Sequence, residues 1–233
     1  MKNLLSVLFL SLAIFSMAAC DGSDKDPFTV KPPESSEYPE EESSDDNKAD
    51  AVAPSDNGRY LVLYASRTSN TEQVAQLIQE TLNGDILEVE PEMSYDNDYN
   101  TMLERAQDEL TAIRQGNYPT IKTSVEDFDD YDIIFVGYPI WYGSMASPMQ
   151  TFLHTHASKL AQKRIALFAT SGSSGISTSV KEAHNLCPDA IFMEESLLLT
   201  SSTLSQKEPL VLTWLGKIGV TRGKTEVSEE TSL

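Results

Sequence analysis

Cysteine is close to absent. The chain has two, Cys20 and Cys187, so neither a disulfide framework nor a multi-cysteine metal site is available. Basic residues are scarce as well: 17 Lys and Arg stand against 36 Asp and Glu, a formal net charge of −19. A chain this poor in cations has no basic face to neutralise phosphates, which argues against nucleic acid as a partner. No internal repeat stands out, and no nucleophile-elbow or triad pattern is present. The apolar stretch Leu4–Phe15 is too short for a comfortable membrane span.

That stretch fits a secretory signal instead. It follows the short cationic start Met1-Lys2-Asn3 and leads to Met17-Ala18-Ala19-Cys20. Small residues directly before a cysteine resemble the lipobox of bacterial lipoproteins, with Met17 where an aliphatic residue is usual. The resemblance implies a signal peptide over 1–19, removed by cleavage, and lipidation of Cys20. It also implies an extracytoplasmic protein of the bacterial envelope, anchored to the membrane through its N-terminal lipid. A plain signal peptide or an uncleaved anchor is the other reading. Residues 20–57 form the next segment. From Asp21 to Asn57 the chain holds five prolines, 12 acidic and three basic residues, a net of −9. That composition predicts a disordered, self-repelling spacer; an interaction tail for a basic partner is the alternative. With Cys20 lipidated, Cys187 would be left alone, and burial is the expectation for it.

From Gly58 to residue 222 the pattern becomes that of a folded domain, followed by a polar tail over 223–233. Short apolar runs at Arg59–Ala65, Ile86–Val89, Ile133–Gly137, Arg164–Ala169 and Ala190–Met193 read as strands. Helical spacing fills the intervals at Thr71–Leu82, Asn100–Ile113, Pro148–His156, about Ser177–Asn185 and Leu210–Ile218. Alternating strands and helices predict an α/β fold: a doubly wound, five-stranded parallel sheet with helices on both faces. Residues 92–131 are a long excursion that either shapes a site or covers the sheet.

Three loops follow strands, and in such a sheet they share one edge. The first is Ser66-Arg67-Thr68-Ser69-Asn70-Thr71, where hydroxyls and orphan amides at a helix start favour a phosphate. It lacks a Gly-Lys-Ser/Thr ending, so it is not a triphosphate loop; an ordinary N-cap accounts for the same residues. The second is Tyr138 to Ser144, with Pro139, Ile140, Trp141, Tyr142 and Gly143. Its large aromatic rings either stack on a flat ligand or pack beneath the loop. The third is Thr170-Ser171-Gly172-Ser173-Ser174-Gly175. Its glycines let amides approach a ligand closely, unless it is a plain flexible turn.

Taken in this order, the stretches Tyr64–Thr71, Tyr131–Gly143 and Ala169–Gly175 resemble the flavin loops of flavodoxins over about residues 58–220. Tyr99, Arg105-Ala106 and Glu109 are similar to the intervening segment of one flavodoxin-like subgroup. The resemblance implies the flavodoxin strand order 2-1-3-4-5 and non-covalently bound FMN. It implies Ser66, Arg67, Thr68, Ser69, Asn70 and Thr71 around the phosphate. Pro139, Ile140, Trp141, Tyr142 and Gly143 would lie beside the isoalloxazine, with Trp141 stacking on it. Thr170, Ser171, Gly172, Ser173 and Gly175 would run along its pyrimidine edge. The chain departs from the family at Ser69, where glycine is usual; a left-handed residue required there would weaken the phosphate grip.

His154 and His156 stand two apart on a helix and diverge, so no shared metal is expected. The Asp127, Asp129, Asp130 and Asp132 cluster lacks a calcium-loop signature and reads as solvated. The expected function is that of an FMN redox protein transferring electrons outside the cytoplasm, with no side chain needed as acid or base. Its partner would be a redox protein or a quinone. An FMN-dependent quinone or NAD(P)H oxidoreductase, and a non-redox binding module on the same fold, stay open beside it.

Overall fold

The computed structural model describes residues 58–220. The signal peptide 1–19, the lipidation at Cys20, the linker 20–57 and the tail 223–233 lie outside the described residues. The element order is β1 (Tyr60–Tyr64), α1 (Asn70–Leu82), β2 (Asp85–Glu88), α2 (Tyr99–Arg114), β3 (Ile133–Trp141), β4 (Ser144–Met145), α3 (Ser147–His156), β5 (Arg164–Ser171), α4 (Ser177–Leu186), β6 (Ile191–Phe192), β7 (Leu197–Thr200) and α5 (Lys207–Lys217).

The apolar runs become central strands because both faces of the sheet are covered. Leu61, Leu63 and Ala65 point to one face, with Ile134, Val136, Tyr138, Ile165 and Leu167 of the neighbouring strands. That face packs against Met149, Phe152 and Leu153 of α3 and Ala183 of α4. Tyr60, Val62 and Tyr64 join Ile133, Phe135, Ala166 and Phe168 on the other, beneath Val74 and Ile78 of α1 and Val211 and Trp214 of α5. The two-residue period of a strand produces this division directly. Gly137 serves the second face: a Cβ there would fall 2.0 Å from the Phe168 ring, so only glycine leaves that ring its place.

The parallel sheet runs β2-β1-β3-β5-β6. Counting β5 and β6 as the fourth and fifth strands read from sequence, this is the expected order 2-1-3-4-5. The fifth position is divided, however. Ile191–Phe192 pairs with Arg164–Ile165, and Leu197–Thr200 pairs farther along with Phe168–Ser171, also parallel. The sequence reading missed β7, because three successive leucines carry no two-residue alternation even though Leu197 and Leu199 alone are buried. Strand β3 also outruns its expected end. It continues through Pro139 to Trp141 and turns back antiparallel through Ser144–Met145.

Strand β2 lies at the sheet's edge and leaves Ile86 and Leu87 partly exposed. The excursion flanks the chain that leaves it. Thr123 Oγ1 donates to the Glu88 carbonyl and accepts from the Glu90 N–H, and the Glu92 N–H donates to Thr120 O. Helix α2 packs against α3 and buries Met102, Ala106, Leu110 and Ile113 along one stripe. Within the described residues, no helix is long and apolar enough to cross a membrane.

Candidate functional site

The chain leaves β1 at Tyr64 and enters α1 at Asn70. Between them Ser69 takes up a left-handed conformation, φ 58° and ψ 6°, as the residue that caps the helix. Its side chain makes no capping hydrogen bond. Among the described residues, no backbone N–H from Ser66 to Glu72 donates to a protein acceptor; the first to do so is Gln73, to Ser69 O at 3.0 Å. A run of unpaired amides at a helix start carries partial positive charge and suits an anion. Arg67 turns aside: its Nη2 donates to the carbonyls of Asp96 and Asn97 at 2.9 and 3.0 Å. It ties the first loop to the excursion.

The second loop is a tight hairpin. Ile140 pairs with Met145 and Trp141 with Ser144, so Tyr142 and Gly143 form a two-residue turn. Both have positive φ, 50° and 80°, as the primed turns that match strand twist demand. The Met145 N–H donates to Glu182 Oε2 at 2.8 Å, and Gln150 Nε2 donates to Met145 O at 2.7 Å. The hairpin lifts the half-buried Trp141 beyond the sheet edge. The third loop has one internal bond, Ser171 Oγ donating to Ser174 O, and is tied from outside by the Ser201 N–H, which donates to Ser171 O. A hydroxyl contact of 2.8 Å between Thr71 and Thr170 joins the first loop to the third.

These pieces enclose a cavity of about 390 Å³, the three-loop cavity. Of the residues expected at the site, Ser66, Arg67, Thr68, Asn70, Thr71, Pro139, Ile140, Trp141, Thr170, Ser171 and Gly172 line it. Ser69, Tyr142, Gly143, Ser173 and Gly175 do not: Ser69 shapes the backbone, Tyr142 and Gly143 make the turn, and Ser173 and Gly175 face solvent. Tyr99, which the subgroup resemblance pointed to, lines the wall beside Met102 and Leu103 of α2. Leu199, Thr200, Ser201 and Leu204 complete it. Their signal was available in principle, since the end of any parallel strand reaches this edge, but β7 went unread.

A second cavity of about 560 Å³, the edge cavity, lies against β2. It shares Ser66, Arg67, Thr68, Pro139 and Trp141 with the first and adds Glu88, Glu90, Ser94, Tyr95 and Asn97. Behind it stands a hydrogen-bonded cluster. The Tyr95 and Ser147 hydroxyls both donate to Glu109 Oε2 at 2.5 Å, while Arg105 Nε meets Glu109 Oε1 at 2.7 Å. The Arg105 guanidinium lies 4.2 Å from the Tyr95 ring centroid, and the Tyr95 and Trp141 rings meet edge to face with centroids 4.9 Å apart. Burial, with Glu109 beside it, pushes the Tyr95 hydroxyl far above the ordinary tyrosine range. Burial, then Glu90 and Glu72, raises the Glu88 carboxyl, and burial followed by Glu88 and Glu72 pushes Tyr64 up to about 12.

The remaining sequence candidates sit elsewhere. His154 stacks on Tyr118, whereas His156 is buried between the Phe152 carbonyl and the Val125 amide, so the two rings part as their spacing requires. Cys187 is buried, and burial pushes its thiol up to about 12. Asp129 and Asp130 pair with Lys163 and Arg59 at the surface.

The comparisons agree with this geometry. A family model described as Flavodoxin matches residues 59–218. Among solved structures, a protein assigned as a flavoprotein from Bacteroides eggerthii DSM 20697 is 30% identical, with a TM-score of 0.60 over 70% of this chain and 99% of that one. One similarly assigned from Bacteroides uniformis ATCC 8492 is 26% identical, TM-score 0.55, over 66% and 97%. A flavoprotein from Lactobacillus acidophilus NCFM, solved in complex with FMN, is 24% identical with a TM-score of 0.52, over 64% and 97%. No curated protein matches the sequence.

Proposed function

The chain belongs to the flavodoxin family, and on that premise we propose that it binds FMN non-covalently and carries electrons outside the cytoplasm, anchored to a bacterial membrane by a lipid on Cys20. One observation carries the reading: three loops from three strands converge on a single cavity, with seven amides from Ser66 to Glu72 that have no acceptor among the described residues. The residues present fit the cofactor. Backbone amides of Thr68, Asn70 and Thr71, with the two threonine hydroxyls, offer a neutral cradle for a monophosphate at the start of α1. Trp141 offers a broad ring beside the cavity, and Thr170 to Gly172 bring backbone polar groups to its opposite wall. The Lactobacillus relative crystallised with FMN supports the same assignment.

When bound, FMN supplies the one- and two-electron chemistry. The chain's own residues bind and orient. The hairpin holds Trp141 in place, α2 covers the cavity with Met102 and Leu103, and the hydroxyl pair Thr71–Thr170 fixes the spacing of two loops. No acid or base is required of a side chain. The partner under this reading is a redox protein or a quinone, reached from the membrane across the acidic spacer.

The test is a titration of FMN into the full chain, followed by flavin fluorescence and visible absorption. Saturable 1:1 quenching with an altered absorption band is expected. Unchanged spectra would end the reading and leave the non-redox module. A second reading, a flavin enzyme acting on its own substrate, is favoured by one feature, the edge cavity that shares five residues with the three-loop cavity. Steady-state assays with NAD(P)H and quinones separate the two: no turnover by the loaded protein supports the carrier.

A further inference from the structure

The edge cavity is a built site rather than a gap left by a loop. Two of its walls, the Tyr95 and Trp141 rings, meet edge to face at 4.9 Å. The polar tip of Tyr95 is used behind the wall, on Glu109, and Arg105 stacks on the same ring while its Nη1 holds the Ser94 carbonyl at 3.0 Å. Glu109 accepts from three donors on α2, α3 and the excursion, so the corner is fixed before any ligand arrives. Pro91, Pro139 and Pro148 give further stiff apolar wall. The volume, about 560 Å³, falls within the range of small-molecule sites.

The charge of the walls says what such a ligand carries. Glu88 and Glu90 line the cavity at the end of β2. Glu90 has Lys122 3.4 Å away, but among the described residues Glu88 has no ion pair. Arg67, the cation in the wall, spends Nη2 on two carbonyls. Two carboxylates stand against this one guanidinium, which is held on carbonyls at the Ser66–Thr68 side; a flat cation at the β2 end would meet Glu88 and aromatic rings together.

We propose that the edge cavity binds a planar organic cation, its ring against the Tyr95–Trp141 corner and its charged head towards Glu88. The site stands beside the three-loop cavity across Ser66–Thr68, Pro139 and Trp141, and does not need the flavin to bind. Both ligands would touch those five residues, and joint occupancy is what titrations with and without FMN test.

The experiment is calorimetry on the full chain, with and without saturating FMN, using 2-naphthamidinium and its isosteric anion 2-naphthoate. Saturable 1:1 binding of the amidinium in both states is expected, with binding of the carboxylate weaker by about tenfold or more. Glu88→Gln, which keeps the volume, should cost the amidinium about tenfold, since it loses one charge-assisted contact. Glu90→Gln, a second and more exposed carboxylate, should cost less. FMN affinity should change less than about twofold in either variant, because neither glutamate lines the three-loop cavity. Equal affinity for the two probes, no binding, or displacement of the amidinium by FMN would each overturn the proposal. Because the probe is also titrated without FMN, a failure of FMN to bind is read separately.

Discussion

The second and third strand-end loops do comparable work at one cavity and are supported very differently. The second is a hairpin whose backbone is bonded to the Glu182 and Gln150 side chains, whose tip reaches Leu103 O through the Tyr142 hydroxyl, and whose Trp141 leans on a partly buried cluster. The third exposes Gly172, Ser173 and Gly175 and is held by its own Ser171–Ser174 bond, by Ser201 and, at its start, by the Thr71–Thr170 hydroxyl contact. A ring that must present one face to a ligand needs its rotamer fixed from behind. Amides that approach a polar edge tolerate small backbone adjustment, and a Cβ added at Gly172 or Gly175 would meet nothing within 4 Å.

The largest effect is expected where the second loop's rigidity begins, in β3. Gly137→Ala puts a methyl 2.0 Å from the fully buried Phe168 ring, which Trp214 also packs. Neither ring has space to retreat. Overpacking costs about 1–3 kcal/mol, and a contact this close to a fully buried ring puts the change at the upper end, measurable as a shift in the urea midpoint. A loss below about 1 kcal/mol would show that the support beneath the second loop is softer than its contacts indicate.

Next comes the cluster itself. Glu109→Ala leaves Arg105 and two hydroxyls without their acceptor, with the Glu109 side chain only 12% exposed. Breaking such a partly buried pair costs about 2–3 kcal/mol, somewhat less than a fully buried one. The comparison sharpens if Trp141 emission changes with it, while alanine at Gly172 changes stability by less than about 0.5 kcal/mol.

A smaller effect follows from pH. His156 ends α3, the helix that the second loop opens, and burial holds its imidazole below the ordinary 6.5. The folded pKa is depressed, so the stabilisation is complete above 6.5 and is lost as pH falls through that value towards the folded one. The Val125 N–H that donates to Nε2 would then face a protonated nitrogen. Melting temperatures at pH 7.5 and 5.5 should diverge more for the native chain than for His156→Gln.

Much of this was legible in the sequence. Runs such as Leu61–Tyr64 and Ile133–Val136 have no polar interruption, so strand, burial on both faces and parallel pairing follow together. The loops follow the strands, and eleven of the sixteen expected residues line one cavity. Other features are not local. Strand β7 has no alternation to betray it, and Pro139 reads as a strand end although β3 runs through it. The Tyr95–Glu109–Ser147 cluster joins residues 14 and 38 positions apart, and no periodicity links them. The edge cavity depends on where the excursion returns beside β2, which is a tertiary fact.

Ser69 is the place where sequence and structure meet most directly, and it carries the smallest predicted effect. The family's usual glycine marked the position as one that needs a left-handed residue, and φ is indeed 58° with serine in place. A non-glycine residue there is strained by about 1–2 kcal/mol, partly offset because glycine loses more freedom on folding. Ser69→Gly should therefore stabilise the fold by about 0.5–1 kcal/mol. Its hydroxyl makes no capping bond, so nothing in the helix start is given up. FMN affinity should rise or hold, since the amides keep their direction and the Ser69 side chain does not line the cavity. Weaker FMN binding by Ser69→Gly, at equal or greater stability, would mean that the serine hydroxyl itself grips the phosphate. The first loop would then resemble the second, a fixed set of side chains, rather than the third.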